Sequence, residues 1–304
     1  MKKLRVLYTF VICLFYMYQS SLAEEKAELA STVEEKNEQK SIASWVGSAA
    51  GELKKFEIYP GVKMNFRWCP PTGEKGFMMG SPKGVGDRDE AQHKVILKKG
   101  FWMAETECTQ AQWQAVMGSN PSHFKNVGKD APVEEVSWDD ICGKEGTRGR
   151  ESFLGKLDKA GKIPAGLVVG LPTEAQWEYA CRAGTKTAFH TGDNLTTKQA
   201  NHHGEECRGR TIAVGSLKTP NAWGFHDMHG NALECCSDKY IREYGGGATG
   251  PTRPANLRVF RGGGWCDFAD SCRSAYRWKY PSSASDACTG FRLIIQGEVL
   301  AKEK

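Results

Sequence analysis

Any fold for this chain must order a long polar stretch, Lys186 to Ala222, in which Gly and Asn recur without helical or strand periodicity. A loop of that length stays ordered inside a domain only when something fastens it, and the residue types at hand offer a metal, a disulfide or tight Trp packing. The elements around it read as short. Thr109 with Gln112 and Thr173 with Gln176 form capping boxes at two helix starts, and Ser137 with Asp140 marks a third. Gly118 and Gly184 stand where the first two helices would stop. Strand-like runs, "HKVILKKGFWMAETECT", "RVFRGGGW", "SCRSAYRW" and "GFRLII", are brief and bounded by Gly, Pro or Ser. Gly makes up 34 of 304 residues, about 11% against an average of roughly 7%. Few short helices, small sheets and much structured loop define an α+β chain and exclude a helical bundle. The ordinary overall composition also excludes a disordered, collagenous or multi-span membrane protein.

Residues 1–23 have the form of a secretory leader. Lys2, Lys3 and Arg5 precede an apolar run from Val6 to Tyr18, and the small-residue site Ser21-Leu22-Ala23 follows. That run is too short for a stable membrane span of about 20 residues. Residues 24–49 read as a polar linker, 50–298 as one domain and 299–304 as a charged tail. Cleavage near Ala23 removes three positive charges, taking the formal +5 to about +2 (5 − 3). Nothing in that charge calls for nucleic acid. Of eleven cysteines, one (Cys13) lies in the leader, leaving ten (11 − 1) in an exported, periplasmic or secreted chain where disulfides are the default. None forms a CxxC pair, which removes the zinc-ribbon and thioredoxin readings.

One segment has metal-site character. Asp227 and Glu234 bracket Gly230 and Ala232, and two carboxylates with small residues between them suit a hard, oxygen-seeking Ca²⁺. The competing reading is a solvated turn. The seven histidines form no HExxH motif, and His202-His203 are loop neighbours whose rings point apart. A G-x-S-x-G nucleophile elbow and a framed phosphate loop are both missing from the sequence.

Seven strings in order, "FMMGSP", "FWMAETECTQAQW", "PVEEVSWDD", "LPTEAQWEYACRAGT", "NAWGFHDMHGNALECCSD", "RVFRGGGW" and "CRSAYR" with "GFRL", resemble the sulfatase-modifying-factor family, best known for its formylglycine-generating enzymes. The resemblance implies a C-type-lectin-like α+β fold with little regular secondary structure. It implies calcium held by the Asp227 side chain, the Gly230 and Ala232 carbonyls and the Glu234 carboxylate. A second family calcium site, begun by Asn201 and His202, lacks its downstream aspartate. It also implies copper held by two cysteines after the glycine turn, here Cys266 and Cys272. With oxygen, that copper oxidises the cysteine of a C-x-P-x-R segment in a sulfatase to formylglycine. Soft thiolates are suitable Cu(I) ligands.

The copper segment departs from the family pattern. Cys266 follows Trp265 directly, where the family places its first copper cysteine one residue later, at Asp267. Gly264 replaces a serine of the family's oxygen site. In the family a disulfide commonly ties the "YACR" helix to the "CRSAYR" segment, which makes a Cys181–Cys272 bridge the competing use of Cys272. Cys235 stands where the family has Trp and has Cys207, Cys266 or Cys288 as possible partners. Two functions therefore remain open. One is oxidation of a cysteine on an exported sulfatase-like protein; the other is an inactive lectin-like module that binds a protein or glycan partner. Trp138, Trp177 and Trp265 are expected in the core, and Arg261, Arg273, Arg277 and Arg292 are expected to tie the terminal strands to carboxylates such as Glu174 and Glu178.

Overall fold

The computed structural model describes residues 45–242 and 256–297; the leader, most of the linker and the tail lie outside them. The first hairpin pairs β1 (Leu53–Tyr59) with β2 (Val62–Cys69). In β2 the side chains of Val62, Met64, Phe66 and Trp68 alternate inward, as a half-buried strand requires. The hairpin leads a five-stranded antiparallel sheet in the order β1-β2-β5-β11-β6, with β5 (Phe101–Ala104), β11 (Ile294–Gly297) and β6 (Leu167–Gly170). The first and last of the described strands thus share one sheet.

A second sheet of four strands runs β10-β7-β8-β9, with β7 (Leu233–Lys239), β8 (Leu257–Arg261), β9 (Trp278–Pro281) and β10 (Thr289–Gly290). A small hairpin joins β3 (Phe77–Met79) to β4 (His93–Val95). Of the "HKVILKKGFWMAETECT" run, only its start, β4, and its middle, β5, form strand.

Among the described residues, four short helices complete the frame. α1 (Gln110–Met117) and α4 (Glu174–Arg182) start at the expected Thr109 and Thr173 capping boxes, and α2 (Trp138–Cys142) starts at Ser137 with Asp140. α3 (Phe153–Ala160), capped by Ser152, has no counterpart in the sequence reading. It packs on α1 through the parallel rings of Trp113 and Phe153, 5.1 Å apart. Helix α4 ends on Ala183 in the left-handed conformation, one residue before the glycine expected there. The "SCRSAYRW" run is a further correction. A 3₁₀ turn, Ala269–Cys272, and a second turn closed by Tyr276 N–H on the Arg273 carbonyl at 3.1 Å bend the chain, so strand begins only at Trp278, while Arg273 and Arg277 form ion pairs with Glu90 and Glu174.

The core lies where α4 meets the strands, among Trp177, Phe101, Met103, Phe225, Met228, Val259 and Ile294. Trp138 and Trp177 are buried as expected, while Trp265 is half-buried with its indole N–H on the Ala287 carbonyl. Among the described residues no helix is long and apolar enough to cross a membrane.

Candidate functional site

The glycine turn after β8 sets the geometry. Gly263 has φ 70°, and a Cβ there would lie 2.5 Å from the Cys272 sulfur. Only glycine lets the turn press onto that cysteine. Gly264 N–H donates to the Asp267 carboxylate at 2.8 Å, and Trp265 N–H donates to the Asn231 carbonyl at 3.1 Å. The chain then emerges at Cys266, which is exposed and joined to Cys288 by a disulfide. Cys288 in turn receives the Leu233 N–H on its carbonyl at 2.7 Å, so the bridge staples the turn to the start of β7.

Cys272 has the opposite environment. It is wholly buried, and burial pushes its thiol far above the ordinary cysteine range. Its carbonyl accepts the His229 Nδ1–H at 2.7 Å, while His229 Nε2 accepts the His190 backbone N–H at 3.0 Å. Both ring nitrogens of His229 are thereby used, and burial drives its pKa down to about 3. Cys181 lies 3.9 Å from His229 Nε2 and donates to Ser274 Oγ at 3.5 Å, with its thiol pushed up to about 12. A protonated thiol beside a neutral imidazole is packing, not a nucleophile–base pair.

The cysteines expected as copper ligands are thus not a pair of free thiols here. Cys266 is committed to Cys288, and Cys272 is sealed beneath the glycine turn. These two residues do not fit copper, which needs two thiolates facing a space the substrate can enter. The expected Cys181–Cys272 bridge is not formed, and Cys235 is a free, buried thiol instead of a partner for Cys207, Cys266 or Cys288.

Asp227, Gly230, Ala232 and Glu234 line the approach to β7. Gly230, at φ 80°, runs so close to the Asn201 carbonyl that a Cβ would sit 2.3 Å from its oxygen. Glu234 is buried and takes two charge-assisted bonds from Arg292, at 2.6 Å each, and one from the Trp177 indole at 2.6 Å. Asp227 accepts the Gly215 N–H at 2.6 Å. A third acid, Glu107, escaped the sequence reading because nothing near it in the chain resembles a metal motif. It is fully buried; one oxygen takes the Asn231 amide at 2.9 Å, and the other has no partner. Burial first, then the fields of Asp227 and Glu234, push its carboxyl well above the ordinary value of 4.5, and burial likewise raises Asp227. An orphaned buried carboxylate oxygen would be relieved by a proton or a hard cation, although among the described residues no three His, Cys, Asp or Glu side chains gather as a metal-binding group.

The long loop is not fastened by a disulfide, since Cys207, its one cysteine, is free. Buried amides do the work. The Asn221 side chain donates to the carbonyls of Ala180 and Cys181 and accepts from Trp223 and Phe225. Asn201 donates to the Arg210 carbonyl and to Asn231, which also accepts from Ile212 N–H. The asparagines that looked like loop composition are its anchors.

A family model, the sulfatase-modifying factor enzyme 1-like domain, matches residues 71–297. The chain is 28% identical to chaperone protein LppX of Paenibacillus barcinonensis, over 66% of its own length and 82% of that protein. It is 26% identical to the formylglycine-generating enzyme of Thermomonospora curvata over 65% of each chain, and so spans just under two thirds of that enzyme. Among solved structures, Treponema denticola variable protein 1 aligns with a TM-score of 0.62 at 27% identity, over 80% of this chain and 98% of that one. Small sheets, short capped helices and amide-anchored loops make up the family's C-type-lectin-like α+β fold, and the chain belongs to the sulfatase-modifying factor family.

Proposed function

We propose that this protein is a non-oxidising, exported member of its family, which uses the lectin-like scaffold to bind a protein or glycan partner and is stabilised by calcium. The observation that carries the reading is the fate of Cys266 and Cys272: one is in a disulfide and the other has no access to solvent. Similarity to a protein named as a chaperone is in keeping with a binding role. For calcium, the support is the orphaned oxygen of Glu107 beside Asp227. Asp227, the carbonyls of Gly230 and Ala232, and the unpartnered oxygen of Glu107 would hold the ion, with Glu234, engaged by Arg292 and Trp177, beside it; the ion would supply charge neutralisation and no reaction step.

Similarity to the Thermomonospora curvata enzyme favours a second reading, oxidation of a cysteine on an exported sulfatase-like protein. One experiment separates the two. The exported form is mapped for disulfides by mass spectrometry, then mixed in air with Cu(I) and a C-x-P-x-R peptide. A retained Cys266–Cys288 bridge with an unchanged peptide thiol is expected. Uptake of one copper and conversion of the thiol to an aldehyde would overturn the non-oxidising reading.

A further inference from the structure

A cavity of about 440 Å³ opens between residues 195–205 and 268–270. The two loops are locked together. His203 N–H donates to the Asp267 carbonyl at 2.7 Å, and the His203 ring stands edge-on to Phe268 at 4.6 Å. Phe268 is nevertheless 67% exposed, a large aromatic surface left open to solvent on a rigid turn. Isolated exposed apolar residues need no explanation, but this one borders a cavity whose mainly apolar wall carries acceptor groups.

The first of these acceptors is on His202. The residue is only 4% exposed, and its Nδ1 lies 2.8 Å from the His203 carbonyl. A carbonyl only accepts, so Nδ1 carries the proton and Nε2 presents a lone pair. Nε2 is buried, lies on a residue that lines the cavity and has no partner. Thr196 has its hydroxyl proton committed to Gln199 at 2.9 Å. The remaining charged lining groups are the carboxylates of Glu205 and Asp270, and among the described residues the lining includes no lysine or arginine. His202 Nε2 and the Glu205 and Asp270 carboxylates thus bring three acceptor groups, two of them negatively charged, to a cavity beside an open aromatic face.

We infer that this cavity is a receptor for an organic cation, the arginine or lysine side chain of a protein partner. The cation's N–H donors meet His202 Nε2 and the two carboxylates, its charge faces the Phe268 ring, and its stem fills the cavity. Recognition requires no thiol on the partner. The inference rests on the binding reading above and names the chemistry that the bound surface must carry.

The test uses the full exported chain and a capped Gly-Ser-Arg-Ser-Gly peptide, followed by proton and carbon resonances of the His202 and Phe268 rings. The peptide should shift both rings, and its citrulline analogue, which has the same shape without the charge, should bind at least about tenfold more weakly. Asp270→Asn with Glu205→Gln should weaken the arginine peptide by about tenfold, and Phe268→Ala should weaken it as well. All three residues are exposed, so folding is preserved, as unchanged melting would verify. Equal binding of arginine and citrulline peptides would overturn the inference, as would an unaffected double variant. So would a neutral sugar, chitotriose, moving the two rings while the arginine peptide does not. None of these probes carries a thiol. Aldehyde formation in the copper assay would sink the non-oxidising reading alone, and loss of charge selectivity would sink the cation site alone.

Discussion

Cys272 acquires the chemistry of a core residue because the Gly262–Gly264 turn closes over its sulfur. The glycines and the cysteine were visible in the sequence, but which way the thiol faces depends on a turn whose close approach no spacing rule encodes. Treatment of the native protein with iodoacetamide at mildly alkaline pH should therefore label half-buried Cys207 and leave Cys272 and Cys181 unmodified until denaturant is added. Peptide mapping checks this, and labelling of Cys272 at the rate of Cys207 would contradict it. His229 gives the second prediction at this scale. Its folded pKa of about 3 lies below the ordinary 6.5, so between those values the native state binds fewer protons than the unfolded chain. Its contribution is present above pH 6.5 and is lost as the pH falls toward 3, at up to about 1.4 kcal/mol per pH unit. His229→Asn should lower stability at neutral pH and flatten that acid slope in denaturant titrations. An unchanged slope would show that other groups govern acid unfolding.

At the level of elements, local chemistry was legible and long-range fastening was not. The capping boxes at Thr109 and Thr173 and the cap at Ser137 could be read because a helix start is specified within four residues. Helix α3 went unread although Ser152 caps it; its first turn carries Gly155, which would clash with the backbone of Gly149 if it bore a side chain. The loop before Ala222 posed the right question and received an answer from another residue class. Asn221 makes four hydrogen bonds, two of them to carbonyls at the end of α4, so Asn221→Ala leaves several buried backbone groups unpaired. We expect a loss of about 3 kcal/mol. Asn221→Asp should not rescue it, because a carboxylate would face the Ala180 and Cys181 carbonyls. Thr173→Ala, which removes one cap, should cost only about 1 kcal/mol. Equilibrium denaturation of the three variants ranks them, and an Asn221→Ala protein no weaker than Thr173→Ala would refute the anchoring role.

Across the whole molecule, buried arginine–carboxylate pairs join distant parts of the chain: Arg261 to Glu178, Arg277 to Glu174, Arg273 to Glu90 and Arg292 to Glu234. The terminal arginines were readable as ties, while Glu90 and Glu234 as their partners were not. That last pair changes how calcium has to be tested. Glu234→Ala would strand a fully buried Arg292 and cost about 3–5 kcal/mol whether or not a metal binds. Glu107 is the more informative residue. Together with Asp227 and Glu234 it places three acids against the one guanidinium of Arg292, so two carboxyls lack a counter-charge unless they hold protons or a cation lies among them. Calcium at a hundred times its Kd should then add about 2.7 kcal/mol, read as a rise in Tm that EGTA reverses. Glu107→Gln keeps an oxygen for the Asn231 amide and removes a charge. It should raise the Tm of the metal-free protein at neutral pH and shrink the calcium increment. Identical melting with calcium and with EGTA would leave protonation as the way the buried acids are neutralised and would remove calcium from the proposal.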